Sequence, residues 1–139
     1  MKLGIAQVLK NANELDTVEK RRDYILANDS PAIQAILKHC YEPNIKFALP
    51  SGKAPYVPSD GDRLEGRLYG EVRKLYLFVE GGHPNLTKLK REQLFIDLLE
   101  SIHPEDAELL VAVKDKKMPY KHITLNLVKK TYPGLIENT

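Results

Sequence analysis

The apolar positions of this chain recur at three- and four-residue spacing almost from end to end, the period of helices that bury one face. Leu3, Ile5, Val8 and Leu9 predict a short first helix, and Val18, Tyr24, Ile25 and Leu26 within "TVEKRRDYILAND" a second. In "NDSPAIQAILKHCYEP" Ser30 stands where a helix is capped and Pro31 at its first position, with Ile33, Ile36, Leu37, Cys40 and Tyr41 as the buried stripe. Leu64, Leu68, Val72, Leu75, Tyr76 and Val79 predict a helix of about four turns that stops at Gly81 and Gly82. Its other face carries Arg63, Arg67, Arg73 and Lys74, a second basic set that is either a contact surface or a plain solvated face. A helix over about 85–102 buries Leu86, Leu89, Phe95, Leu98, Leu99 and Ile102 and exposes Lys88, Lys90 and Arg91. Pro104, with Glu105 and Asp106 behind it, opens the next one, because a first turn favours proline and negative charge. Thr124 to Tyr132 forms the last, before "PGL" breaks it.

One stretch breaks the pattern. From 42 to 62 the chain carries Pro43, Pro50, Pro55 and Pro58 with Gly52 and Gly61, which leave no room for a regular element. Its apolar residues Ile45, Phe47, Leu49, Tyr56 and Val57 predict an extended strap pinned across the core instead of a free loop. The expected architecture is therefore all-α: a compact bundle of about six or seven helices with one long proline-rich crossing segment, as a single domain over residues 1–139.

Composition adds little to this, and charge adds more. The 139 residues are 42% hydrophobic and 29% charged, as in ordinary globular proteins, with a formal net charge of only +2. The single cysteine, Cys40, excludes an internal disulfide and fits a reducing cytoplasm. The sequence shows no signal peptide and no membrane-spanning run.

Catalytic signatures are missing: there is no phosphate-binding glycine loop, HExxH, GxSxG or paired-cysteine spacing. His83 and His103 each precede a proline at a helix start, which predicts capping or turn roles. His39 beside Cys40 reads as core packing, since neighbours on a helix point about 100° apart. His122 sits among lysines, without a second donor nearby for a metal. No catalytic residue, cofactor or metal site is expected.

What stands out is "VKDKKMPYKHITLNLVKKTYPGLI". Residues 111–132 carry Lys114, Lys116, Lys117, Lys121, Lys129 and Lys130 against Asp115 alone, a local excess in a nearly neutral chain. As a helical hairpin with a tight turn, and with Lys88, Lys90 and Arg91 folded onto the same side, these would form a patch for phosphates or an acidic protein surface. Lysines are mobile point charges, so such a patch would hold a backbone without reading sequence. Tyr56 and Tyr120, each beside a proline, either stack on a base or cover the core, and core cover is the expectation.

Two resemblances sharpen the expectation. "REQLFIDLLESIHPEDAELLVAVKDK", followed by "LVKKTYPGLI" and preceded by "LKHCYEPNIKFALPSGKAP", resembles the all-helical N-terminal DNA-binding domain of ATP-dependent DNA ligases. That likeness implies a hairpin that grips phosphates across the minor groove through Lys114, Lys116, Lys117, Lys121, Lys129 and Lys130. The chain departs from it at Pro119, Tyr120 and Lys121, in place of a glycine-containing turn, and lacks the KxDG of the ligase nucleotidyltransferase. Over its whole length, through "EGRLYGEVRKLYLFVEGGHPNL" and "AVKDKKMPYKHIT", the chain resembles the RNA-polymerase-binding proteins of T-even-type phages. This implies host RNA polymerase as partner, modulation of transcription without chemistry of its own, and the cytoplasm of an infected bacterium as its place. The ligase likeness implies instead a free-standing DNA-binding module for replication or repair, without sequence specificity.

Overall fold

The computed structural model describes residues 2–137 and is all-helical. Among these residues, α1 is Ile5–Asn13, α2 Val18–Ala27, α3 Pro31–Tyr41, α4 Arg67–Glu71, α5 Lys88–Ser101, α6 Pro104–Lys114 and α7 Leu125–Thr131. None is long and apolar enough to cross a membrane. The start signals act as their chemistry dictates. Ser30 Oγ accepts from the Ile33 amide with Pro31 behind it, and Thr124 Oγ1 accepts from Leu127.

The centre of the bundle is α6, which packs against α1, α3 and α5. Its Ala107, Leu109, Leu110 and Val113 lie on one side of the helix and are all buried. The other helices add Ile5, Val8, Leu9, Ile33, Ile36, Leu37, Phe95, Leu99, Leu127 and Val128 to the same core.

Three expectations are corrected. The four-turn helix does not form: α4 is five residues, and Val72–Phe78 tightens into a 3-10 helix. Val79 leaves the helix because it is extended and pairs with Phe47 of the strap, where Ala48 N–H donates to Phe78 O (2.8 Å) and Glu80 N–H to Lys46 O (2.7 Å). Gly82 then folds back so closely that a Cβ there would lie 1.9 Å from Tyr76 O, so only glycine can close this turn.

Secondly, the anticipated hairpin of the last two helices does not exist. Residues 115–124 are not a tight turn but a crossing: the His122 amide donates to Asn13 Oδ1 (2.7 Å), Tyr41 Oη donates to Ile123 O, and Ile123 is buried. The crossing delivers α7 to α2, where it packs and where Tyr132 Oη bonds Asp29 Oδ1 at 2.7 Å.

Thirdly, Leu89 is not core. It is 80% exposed in the first turn of α5, and Val57 of the strap is 75% exposed. The strap itself is pinned as anticipated, by Ser59 Oγ on Ile102 O, the Val57 amide on Glu100, and the Gly52 amide on Asp115.

Candidate functional site

The expected basic surface centres on the C-terminus of α6. There the helix ends in a Schellman turn: Lys117 N–H returns to Ala112 O (2.9 Å) and Lys116 N–H to Val113 O (2.8 Å). This places Lys116 in the left-handed region with φ 59°, a position that ordinarily belongs to glycine.

The side chain accounts for the exception. Lys116 Nζ donates to His39 O (2.7 Å), Glu42 O (2.8 Å) and Ile45 O (2.6 Å), so its three protons meet three carbonyls. These acceptors lie at and just past the end of α3, where backbone carbonyls have no helical partner and a cation suits the dipole. Burial lowers the pKa of this ammonium, with the nearby Cys40 and Glu42 acting against the shift.

Lys114 is used the same way. It is 5% exposed, and its Nζ donates to Pro50 O (2.8 Å), Gly52 O (2.8 Å) and Asp115 Oδ1 (2.9 Å). Arg91 is a third instance, its guanidinium gathering Leu77 O, His83 O and Leu86 O at 3.0–3.3 Å. All three cations satisfy carbonyls of helix ends and of irregular chain, which have no sheet partner among the described residues. The expectation that Lys114, Lys116 and Arg91 face a partner is therefore corrected: they face inward.

The second basic set is not one surface either. Arg67 and Lys74 converge on the buried carboxylate of Glu71, at 3.4 and 2.7 Å, and the Lys74 ammonium leads in holding that carboxyl below its ordinary range. Arg73 Nε bonds Gly70 O, while Arg63 lies before α4 in the left-handed region and is exposed. The set is split between loop, α4 and 3-10 helix.

Six of the expected residues remain outside. Lys88, Lys90, Lys117, Lys121, Lys129 and Lys130 are exposed, and among the described residues none has a carboxylate partner. From Lys116 to Ile136 the sequence has no acidic residue. Lys88 and Lys90 occupy the first turn of α5, the end where the helix dipole disfavours cations.

Beside Lys117 opens a groove of about 640 Å³ between the strap and the end of α6. Its walls include Ile45, Phe47 and Leu49, and Lys46 joins Lys117 as an exposed cation on it. Sequence reasoning missed Lys46, because an irregular segment has no periodicity to show which residues line a face.

Two of the histidines, His39 and His103, have partners within the fold. His103 Nδ1 accepts from the Glu105 amide and caps α6, and His39 bonds Ala35 O, its pKa lowered chiefly by burial. Burial pushes the Cys40 thiol up to about 11, so it stays protonated and unreactive at neutral pH. Tyr56 and Tyr120 both pack against the core. No group of three or more metal-capable side chains occurs among the described residues.

One buried carboxyl was not anticipated. Asp106 is 1% exposed; its Oδ1 accepts from the Ala6 amide (2.8 Å), capping α1 from across the bundle, while Oδ2 is unpartnered among the described residues. Desolvation raises its pKa to about 6. Against an unfolded value of about 3.9, the native state holds this proton at pH where the unfolded chain has lost it. Asp106 therefore adds stability as pH falls from about 7 towards 4, whereas His39, kept neutral by burial, subtracts it below its ordinary value. The difference between wild type and Asp106→Asn isolates the carboxyl. On acidification from pH 7.5 to 5, urea titrations should show wild type gaining on the variant by about 1.4 kcal/mol. A difference that does not change with pH would contradict the burial-driven shift.

No curated protein matches the chain. A family model does match, over residues 8–120, a span that takes in the strap together with Arg91, Lys114 and Lys116. The chain belongs to that family, a family of unknown function designated DUF6433.

Proposed function

We propose that this protein is a non-enzymatic binding module that docks on host RNA polymerase in the cytoplasm of an infected bacterium and modulates transcription. The observation that carries the reading is the acid-free run from Lys116 to Ile136, whose Lys117, Lys121, Lys129 and Lys130 are exposed and have no carboxylate partner among the described residues. Such a segment suits an acidic protein surface, where unpaired charges speed encounter and select partners. Lys88 and Lys90 support the same reading, since cations at a helix start cost stability and have no internal partner to offset that cost.

The phage-protein resemblance supplies the identity of the partner. The alternative, a ligase-like DNA-binding module, loses the helical hairpin and two of the six lysines on which it rested, because Lys114 and Lys116 have no proton left for a phosphate. Affinity purification from phage-infected cells tests the choice. Polymerase subunits should co-purify with the tagged chain, and Lys121→Gln/Lys129→Gln/Lys130→Gln should lose them while circular dichroism shows the helical fold retained. Failure to recover polymerase would overturn the proposal. Retention of random duplex DNA with a log–log salt slope near about −3.6, as four engaged phosphates require, would favour the ligase-like module.

A further inference from the structure

The groove at the end of α6 has an isolated antiparallel bridge along one wall. In the strap, Lys46 C=O and Ala48 N–H are spent on the 78–80 segment through the Phe47–Val79 bridge. Because backbone groups alternate sides along an extended run, Ile45 C=O and both polar groups of Phe47 point to the opposite edge, before the chain bends at Leu49. That edge faces the groove, since Ile45 C=O receives the ammonium of Lys116, which lines it. The Phe47 N–H and C=O have no hydrogen-bond partner among the described residues. Around them the lining holds Lys46, Lys114, Lys116 and Lys117 against Asp115 alone.

We propose that this groove receives an extended acidic segment of a partner protein, which pairs with the free backbone edge of Phe47 and sets its carboxylates against Lys46 and Lys117. The inference rests on the reading of the chain as a protein-binding module and names the surface involved. An unpaired edge beside a concave wall is what strand addition requires: main-chain bonds supply affinity, and alternate side chains supply selectivity. Ile45, Phe47 and Leu49 offer apolar contact to one set of those side chains, while the lysines meet the other. A nucleic-acid strand fits less well, because its phosphodiester backbone has no donor for Phe47 C=O and the protons of Lys114 and Lys116 are already engaged.

The probe is a blocked octapeptide of alternating glutamate and valine, titrated into the 15N-labelled full chain. The proposal expects amide shifts concentrated at Phe47, at least tenfold weaker binding to Lys46→Glu/Lys117→Glu with unchanged melting temperature, and loss of binding when alternate peptide amides are N-methylated. Shifts absent from Phe47, equal binding of the N-methylated peptide, or equal shifts from a single-stranded octanucleotide would overturn it. The polymerase reading fails separately. Polymerase recovered as well by Lys46→Glu/Lys117→Glu as by wild type removes the groove alone, whereas peptide binding without polymerase recovery removes only the polymerase.

Discussion

Lys116→Ala is expected to destabilise the protein by about 3–5 kcal/mol, since it leaves three largely enclosed carbonyls without donors while keeping a side chain in the left-handed region. Each bond of Lys116 Nζ to His39, Glu42 and Ile45 is charge-assisted and short, and together they join the ends of α3 and α6 to the start of the strap. Lys116→Gly loses the same bonds but relieves φ 59°, so it should be roughly 1 kcal/mol more stable than the alanine variant. Urea denaturation of the three proteins reads both numbers. Equal stability of wild type and Lys116→Gly would mean that the ammonium contributes nothing and that the strained lysine has no structural purpose.

Lys114→Met is the second large effect, expected at about 2–4 kcal/mol, or a melting temperature lower by about 8–14 °C in a chain of this size. Methionine keeps the buried stem but leaves the Asp115 carboxylate with the Gly52 amide and no cation, and frees Pro50 O and Gly52 O. The figure is below that for a fully enclosed ion pair because the Asp115 side chain is 19% exposed and Pro50 and Gly52 lie at the surface. Lys117→Met, three residues along and exposed, should stay within about 0.5 kcal/mol of wild type. A Lys114→Met protein as stable as Lys117→Met would remove the clamp on the strap from the account.

The helices were legible because their signals are local. Ser30 with Pro31, Pro104 with Glu105 and Asp106, and the proline and glycine punctuation of the strap each act within a few residues. The stretch from Leu64 to Val79 misled because apolar spacing alone does not separate an α-helix from a 3-10 helix that gives its last residue to a bridge with Phe47. Leu89 misled for a related reason: it keeps the helical period, but in a first turn that no other element covers.

The direction of the lysines was the least legible feature. A lysine stem is long enough to turn its charge outward or inward, and which way it turns is decided by acceptors distant in sequence, here 62–64 residues from Lys114 and 71–77 from Lys116. One signal was available. An irregular crossing segment of about 20 residues carries carbonyls that must be paired somewhere, and with no strands predicted, nearby cations were the donors at hand. A helix end without glycine at its left-handed position was a second hint, since a lysine there must offset the strain it causes. Fewer lysines are consequently exposed than the lysine count suggests, and Lys46 joins them from the strap.

The division of cations into inward and outward sets is most directly tested by acetylating the native protein and reading each lysine by mass spectrometry. Lys114 and Lys116 should remain unmodified at reagent levels that fully label Lys117, Lys121, Lys129 and Lys130, and should react only on unfolding. Labelling of all six at similar rates in the native state would contradict the account.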